Sequence, residues 1–310
     1  MICSQINIKY YDDFELTNFN TLRIKALAKR LYVPDNYGEL ISLYKKYKED
    51  TPILLGNGSN ILLSSIKIEK PMITPKEVNS VFFFGQFLEV EMGAKVQKLS
   101  ALAQQKGLSG FEFLVGIPAS LGGAIYQNAG AHGQTISDYI VRCKVYDYVQ
   151  NKTIILSKDE MKFSYRSSIL KEKPYILLSA KFKLPRGNKE AIKAKMDENL
   201  AFRKNRQPNL SMPNAGSVFK NPKNSEFSAG ALIDKCGLKG YQTTNCKIYE
   251  NHCNFIINKG NANSIDYTNI MFEIYSRVKE KFNIELEPEI IYIGKMTEEE
   301  ENKWKIMLKK

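Results

Sequence analysis

Apolar positions recur along this chain with two spacings, and the switches between them mark out its elements. Residues 30–34 form a short apolar run that predicts a strand. Between residues 37 and 47, Leu40, Ile41, Leu43 and Tyr44 share one face of a helical period. Residues 52–55 and 61–63 are apolar runs on either side of Gly56-Asn57-Gly58-Ser59-Asn60, read as strand, turn and strand. Alternation over 81–92 predicts two paired strands, and 99–106 a helix. Further strands are expected at 139–148, 153–156 and 175–184, where Pro185 and Gly187 break the pattern. Residues 191–205 predict a basic helix linking to a last domain. There Ser228 caps a helix reaching Cys236, and 254–258 is a buried strand. Ser264 caps a helix to Phe282, and 284–293 is a closing strand carrying Glu285, Glu287 and Glu289. This order predicts an α+β sandwich at the C-terminal end.

The periodicity fails between Gly110 and Gly133, where six of the nineteen glycines fall. Glycine at that density is too costly for the inside of a helix or strand. Gly116-Ile117-Pro118 sets a sharp turn, with Pro118 placed to open a helix. Gly122 and Gly123 leave an open surface for a flat or charged ligand. Asn128 and His132 lie in turn segments. On composition alone this is equally a loop moulded around a cofactor or a crossover between packed strands. The turn at 56–60 has neither the spacing of a dinucleotide fingerprint nor that of a P-loop. It can present consecutive N–H groups to a diphosphate, and it is also an ordinary Asn-Gly hairpin turn.

Length and charge narrow the class. At 310 residues the chain exceeds one typical core, so two or three domains are expected. No apolar run approaches the roughly 18 residues of a membrane span. The N-terminus lacks the basic start and apolar run of a signal peptide, so a cytoplasmic protein is expected. The net charge of +12 is spread over helix faces such as Lys45, Lys46 and Lys48, and over the terminal Lys309 and Lys310. That dispersal argues for solvated surfaces and against a nucleic-acid footprint, with some attraction for a small anion. Cys3, Cys143, Cys236, Cys246 and Cys253 contain no C-x-x-C spacing, so they read as free thiols and no metal is expected.

Six stretches occur in a particular order: GNGSN at 56–60, GIPASLGGAIYQNAGAHG at 116–133, YRSS at 165–168, NRQP at 205–208, GSVFKNP at 216–222 and LEPE at 286–289. In this order they resemble the UDP-N-acetylenolpyruvoylglucosamine reductase family, over roughly residues 20–293. The resemblance implies an α+β chain with a vanillyl-alcohol-oxidase-type (PCMH-type) FAD-binding fold. Two α/β lobes, 1–73 and 74–208, would hold FAD, and a C-terminal α+β domain, 209–310, would help bind a UDP-sugar. The short connection from Arg166 to Ser217 is similar to the family form without an extra tyrosine-bearing insert. Two departures stand out. Lys25-Ala26-Leu27-Ala28 replaces a usual Gly-Gly-Pro-Ala turn, and His132 replaces a usual tyrosine.

The resemblance also implies chemistry: NADPH-dependent reduction of an enolpyruvyl double bond through noncovalent FAD. Arg166 would pair its planar fork with the substrate carboxylate, although alone it reads as a salt-bridge arginine. Ser217 would protonate the carbanionic carbon, although alone it is a turn serine. Glu289 would share a proton with the developing enolate, although alone it is a sheet-edge charge. Gly56, Asn57, Gly58, Ser59, Asn60, Gly116, Ala119, Ser120, Gly122, Gly123 and Asn128 would contact FAD. Asn221, His252, Lys220 and Arg206 would contact the UDP-sugar, with Arg203 a further diphosphate partner. A flavin fold serving only as a binding module and a basic RNA-binding protein are the competing readings. Oligomeric state is left open, with a monomer preferred.

Overall fold

The structure is a computed structural model and describes residues 8–309; Cys3 and Lys310 lie outside the described residues. Two strands, β1 (Tyr10–Glu15) and β2 (Leu27–Tyr32), precede the helix α1 (Tyr37–Lys46). The Asn36 side chain accepts from the Glu39 amide at the start of α1, and Lys45 and Lys46 sit in its last turn. Short strands β3 (Ile53–Leu54), β4 (Ile61–Leu63) and β5 (Met72–Ile73) lead to the hairpin β6 (Val81–Phe84) and β7 (Phe87–Glu91). Next come α2 (Val96–Gln105), the short α3 (Leu121–Tyr126) and the small hairpin β8 (Gly130–Ala131) and β9 (Gln134–Thr135). Three longer strands, β10 (Ile140–Asp147), β11 (Lys152–Ser157) and β12 (Tyr175–Lys183), end at the helix α4 (Lys189–Arg206). The remainder holds α5 (Ala229–Lys235), β13 (Cys246–Ile248), β14 (Ile256–Asn258) and α6 (Ser264–Phe282). β15 (Ile291–Ile293) and α7 (Glu298–Leu308) close the chain.

These elements form two compact units, each discontinuous in sequence. The first takes the residues up to Asp12, Arg30–Asn57 and Lys70–Arg203. Its centre is an antiparallel sheet in the order β11-β10-β12-β7-β6. Register places Leu156, Cys143, Ala180, Val90 and Val81 in one row, and Arg142, Lys181, Glu89 and Phe82 in the next. The alternation therefore gives one apolar and one mixed face. Cys143, Ala180 and Val90 of the apolar row are buried with Phe111, Phe113, Leu114, Leu121 and Ile125 of the glycine-rich stretch, and Leu156 and Val81 at its ends are partly buried. Beside it β3 and β5 run parallel, and the α1 face of Leu40, Leu43 and Tyr44 is buried with Ile73.

The second unit takes Asp13–Lys29, Gly58–Glu69 and the chain from Lys204 onward. β13 pairs antiparallel with β14, and β15 pairs parallel with β4. α5, α6 and α7 bury Leu232, Ile233, Tyr267, Met271, Ile274 and Trp304 with Leu62 and Phe219. Asn263 and Asp266 form a capping box on α6, as Thr297 and Glu300 do on α7.

Several expectations need correction. β3 and β4 are not a hairpin: β3 bonds to β5 and β4 to β15. Pro118 does not open α3, because Ser120 is its N-cap and accepts from Gly123 N. The expected closing strand shrinks to β15, since residues 287–289 bond to the loop at 218–220. β1, β13 and α7 were not anticipated. α7 opens with four glutamates and buries little besides Trp304 and Met307, so its period is faint. At residues 25–28, the carbonyl of Ala26 accepts from Leu16 N, and Leu27 begins β2.

Candidate active site

In the first unit a cavity of about 300 Å³ brings together Gly56, Asn57 and Ser120. The strip 92–96 fixes that wall: Val96 N donates to Ala119 O at 3.0 Å, and Leu121 N to Ala94 O at 2.8 Å. Asn57 donates its amide to Pro118 O at 2.6 Å. Gly56 leaves room for the Ser120 hydroxyl, which a Cβ at 2.5 Å would force to turn away. Gly116 makes similar room for Arg203, whose Cδ would lie 2.6 Å from an added Cβ. Arg203 is largely buried, burial lowers its pKa, and its Nε has no hydrogen-bond partner among the described residues. Gly122 does not leave an open surface, because it packs against Met92. Gly123 does, since the nearest atom to its missing Cβ is its own capping hydroxyl at 3.5 Å.

Asn128 adopts φ 43° and is buried, and its amide donates to Ser164 O at 3.0 Å. That bond ties the end of the glycine stretch to the turn that carries Arg166. Ser164 and Ser167 exchange backbone bonds across this turn, and Arg166 holds φ 55°. The guanidinium of the half-buried Arg166 lies 5.2 Å from the Tyr165 ring, and its carbonyl accepts from Lys171 Nζ at 2.7 Å. His132 meets the Phe202 ring edge-on at 5.2 Å; burial, then the charge of Lys195, pushes its imidazole below the usual range.

In the second unit Gly58 holds φ 64°, and a Cβ there would run into the Phe19 carbonyl. Its own carbonyl accepts from Thr21 N at 3.0 Å. Gly58 is therefore glycine because of the backbone at 19–20. Asn60 bonds to the Glu289 segment on both sides, giving its amide to Glu289 O at 3.1 Å and its carbonyl to Ile291 N at 3.0 Å.

Ser217 follows Gly216, which takes φ 76° with its N–H held by the Asn214 side chain at 3.0 Å. The next residues are clamped from two sides. Glu289 N donates to Val218 O at 2.7 Å and Lys220 N to Glu287 O at 2.9 Å. On the other side Asn254 accepts from Phe219 N at 3.0 Å and donates to Phe219 O at 2.8 Å. Glu289 is thus the donor of a backbone bond whose acceptor, Val218, directly follows Ser217; Ser217 and Glu289 are both half-buried. Lys220 pairs with Glu287. Asn221 accepts from Ala229 N at 3.0 Å at the start of α5. His252 packs on Gly230 and meets Phe255 edge-on at 4.8 Å; burial lowers its pKa, and Arg206 acts in the same direction. Arg206 itself is exposed near the end of α4.

Asn254, Asn214 and Thr21 are the residues the sequence reading missed. An asparagine opening the buried run Asn254 to Asn258 was the available signal, since a buried amide must find partners. Burial pushes the thiols of Cys143 and Cys246 up to about 12 and that of Cys253 to about 11, so none is a ready nucleophile. Among the described residues no three metal-ligating side chains cluster, and no helix is long and apolar enough to cross a membrane.

Comparison with known proteins places the chain in a family. An FAD binding domain model matches residues 28–155. A model of the UDP-N-acetylenolpyruvoylglucosamine reductase C-terminal domain matches 207–293. With the α+β architecture, these matches define an FAD-dependent oxidoreductase of the expected fold class. The reductase of Caldanaerobacter subterraneus subsp. tengcongensis is 42% identical, over 92% of this chain and 94% of its own. That of Caldicellulosiruptor bescii is 39% identical, over 95% of this chain and 94% of its own. A crystal structure of the Thermus caldophilus reductase superposes with a TM-score of 0.76 at 31% identity, over 92% of this chain and 99% of that one. The chain belongs to the UDP-N-acetylenolpyruvoylglucosamine reductase family.

Proposed function

We propose that this chain reduces the enolpyruvyl group of UDP-N-acetylglucosamine-enolpyruvate to the lactyl ether, using NADPH. The product, UDP-N-acetylmuramate, would serve peptidoglycan precursor synthesis in the cytoplasm, with the enzyme acting as a monomer. The observation that supports the reading is the pair of backbone bonds from Glu289 N to Val218 O and from Lys220 N to Glu287 O, which ties the segment carrying Ser217 to the segment carrying Glu289. The chain's relatives named for this reductase support it.

FAD, held noncovalently, supplies the hydride chemistry when bound. Gly56, Asn57 and Ser120 would hold it in the first unit, where the cavity and the glycine at 56 fit a close backbone approach. Arg166 pairs with the substrate carboxylate as negative charge builds there. Ser217 Oγ gives its proton to the carbanionic carbon, and Glu289 shares a proton with the developing enolate. Asn221, His252, Lys220 and Arg206 hold the UDP-sugar. Lys220 must then exchange Glu287 for a phosphate, and His252 stays neutral at pH 7 because burial lowers its pKa.

The test is direct. Purified protein should be yellow and release all its flavin on denaturation. NADPH should be consumed beyond one equivalent per flavin only when the enolpyruvyl sugar is present. Colour that stays with the denatured chain contradicts noncovalent binding. NADPH use that ignores the sugar contradicts the reductase.

A further inference from the structure

The cavity of the first unit carries three side chains that the reading above does not use. Lys76, Lys95 and Lys98 line it together with Gly56, Asn57 and Ser120. A carboxylate sits near one of them: Glu77, 4.0 Å from Lys76, with both side chains half exposed. Lys95 and Lys98 form no ion pair among the described residues.

Two of the lysines also break a local rule. Lys95 occupies the N-cap of α2, makes no capping bond, and has no acidic residue in the following turn. Lys98 adds a second positive charge in that turn. The positive end of a helix favours acceptors and acids, and α1, α6 and α7 follow this with Asn36, Asn263 and Thr297 caps and acids behind them. α2 does the reverse at the mouth of a cavity. Local violations of this kind are tolerated where a function offsets them. An anion in the cavity would give Lys95 and Lys98 a counter-charge and Lys76 one besides Glu77. The cavity is wide enough for a phosphate group and its first neighbours.

Resting on the FAD reading, we infer that Lys76, Lys95 and Lys98 hold the diphosphate of the cofactor. Their charge then makes cofactor retention sensitive to salt. The glycines and Ser120 would give shape to this site, and the lysines would give it most of its charge complementarity.

The test uses the flavin-loaded protein. Diluted into rising KCl, it releases FAD, which is read by its fluorescence. Retention in the wild type should fall steeply with salt, as expected for partly exposed charges. The Lys76→Gln/Lys95→Gln/Lys98→Gln variant should bind FAD about ten- to a hundredfold more weakly, with a flattened salt dependence. ADP should displace FAD from the wild type better than adenosine does, and this difference should vanish in the variant. Lys95→Ser, which restores a normal cap, should raise the melting temperature of the flavin-free protein while weakening FAD retention. A structural lysine would not show that trade. If the triple variant keeps the wild-type affinity and salt dependence, the inference is wrong. If the wild type carries no FAD at all, it is the cofactor reading that fails.

Discussion

In the first unit the site is shaped by side chains that are missing, and in the second by side chains that are added. Gly56 clears space for Ser120, and Gly116 for Arg203. The loop at 214–220 has only Gly216, and it is held instead by amides: Asn214 on Gly216, Asn254 on Phe219, and Asn60 on the Glu289 segment. The two solutions suit different needs. A glycine cradle admits a large ligand to bare backbone and gives little directional control. An amide clamp satisfies buried N–H and C=O groups at fixed angles, and so sets one hydroxyl and one carboxylate in place.

The contrast can be broken by substitution. Gly58→Ala carries the largest expected effect, because it combines a left-handed φ with a collision against the Phe19 carbonyl. It should cost about 4 kcal/mol of stability in chemical denaturation. A near-neutral result would mean that the backbone at 19–20 yields easily. Asn254→Ala follows, at about 3 kcal/mol, since it strands the buried N–H and C=O of Phe219. It should also slow turnover through the displaced Ser217 loop while FAD content stays normal. Loss of flavin instead would show that the clamp is not local.

A smaller effect is set by pH. The chain has two histidines, His132 and His252, and burial lowers the pKa of each. The unfolded chain therefore binds protons more readily near its ordinary value of about 6.5. Stability should be level above that pH and fall as pH drops from about 6.5 toward 5, before most carboxylates titrate. His132→Gln/His252→Gln should flatten that decline. A decline that persists unchanged assigns it to carboxylates. The smallest effect is expected at Gly123, which faces open space on α3. Gly123→Ala should leave stability unchanged or raise it by up to about 1 kcal/mol, with the cost, if any, appearing in FAD affinity. A stability loss like that of a packed glycine would place Gly123 with Gly122 and Met92.

How much of this was legible in the sequence follows from the range of the interactions. The α1 face, the sheet strands and the Ser228 cap are local patterns and were read correctly from spacing. The ordered motifs pointed to the family. What was missed lies far apart in the chain. Asn254 acts on Phe219 and Asn60 on Glu289, and no periodicity connects such pairs. The Asn57-Gly58-Ser59 turn looks alike in sequence whether its glycine faces a ligand or a backbone, so the Phe19 carbonyl beside Gly58 was not foreseen. The strand expected over 284–293 misled for a related reason: its alternation is real, but its first half bonds to a loop.

The central claim is that the clamped loop serves the substrate half of the reaction, with Ser217 as its proton donor. Ser217→Ala tests it most directly, because it removes one hydroxyl with little change in volume. Fold and FAD content should survive. In stopped-flow absorbance, bleaching of the flavin band by NADPH should run at close to the wild-type rate. Return of the colour on adding the enolpyruvyl sugar should slow by about a hundred- to ten-thousandfold, with little change in substrate affinity. Equal slowing of both phases would contradict the account by making Ser217 a positioning residue, and an unchanged second phase would take the proton away from it altogether.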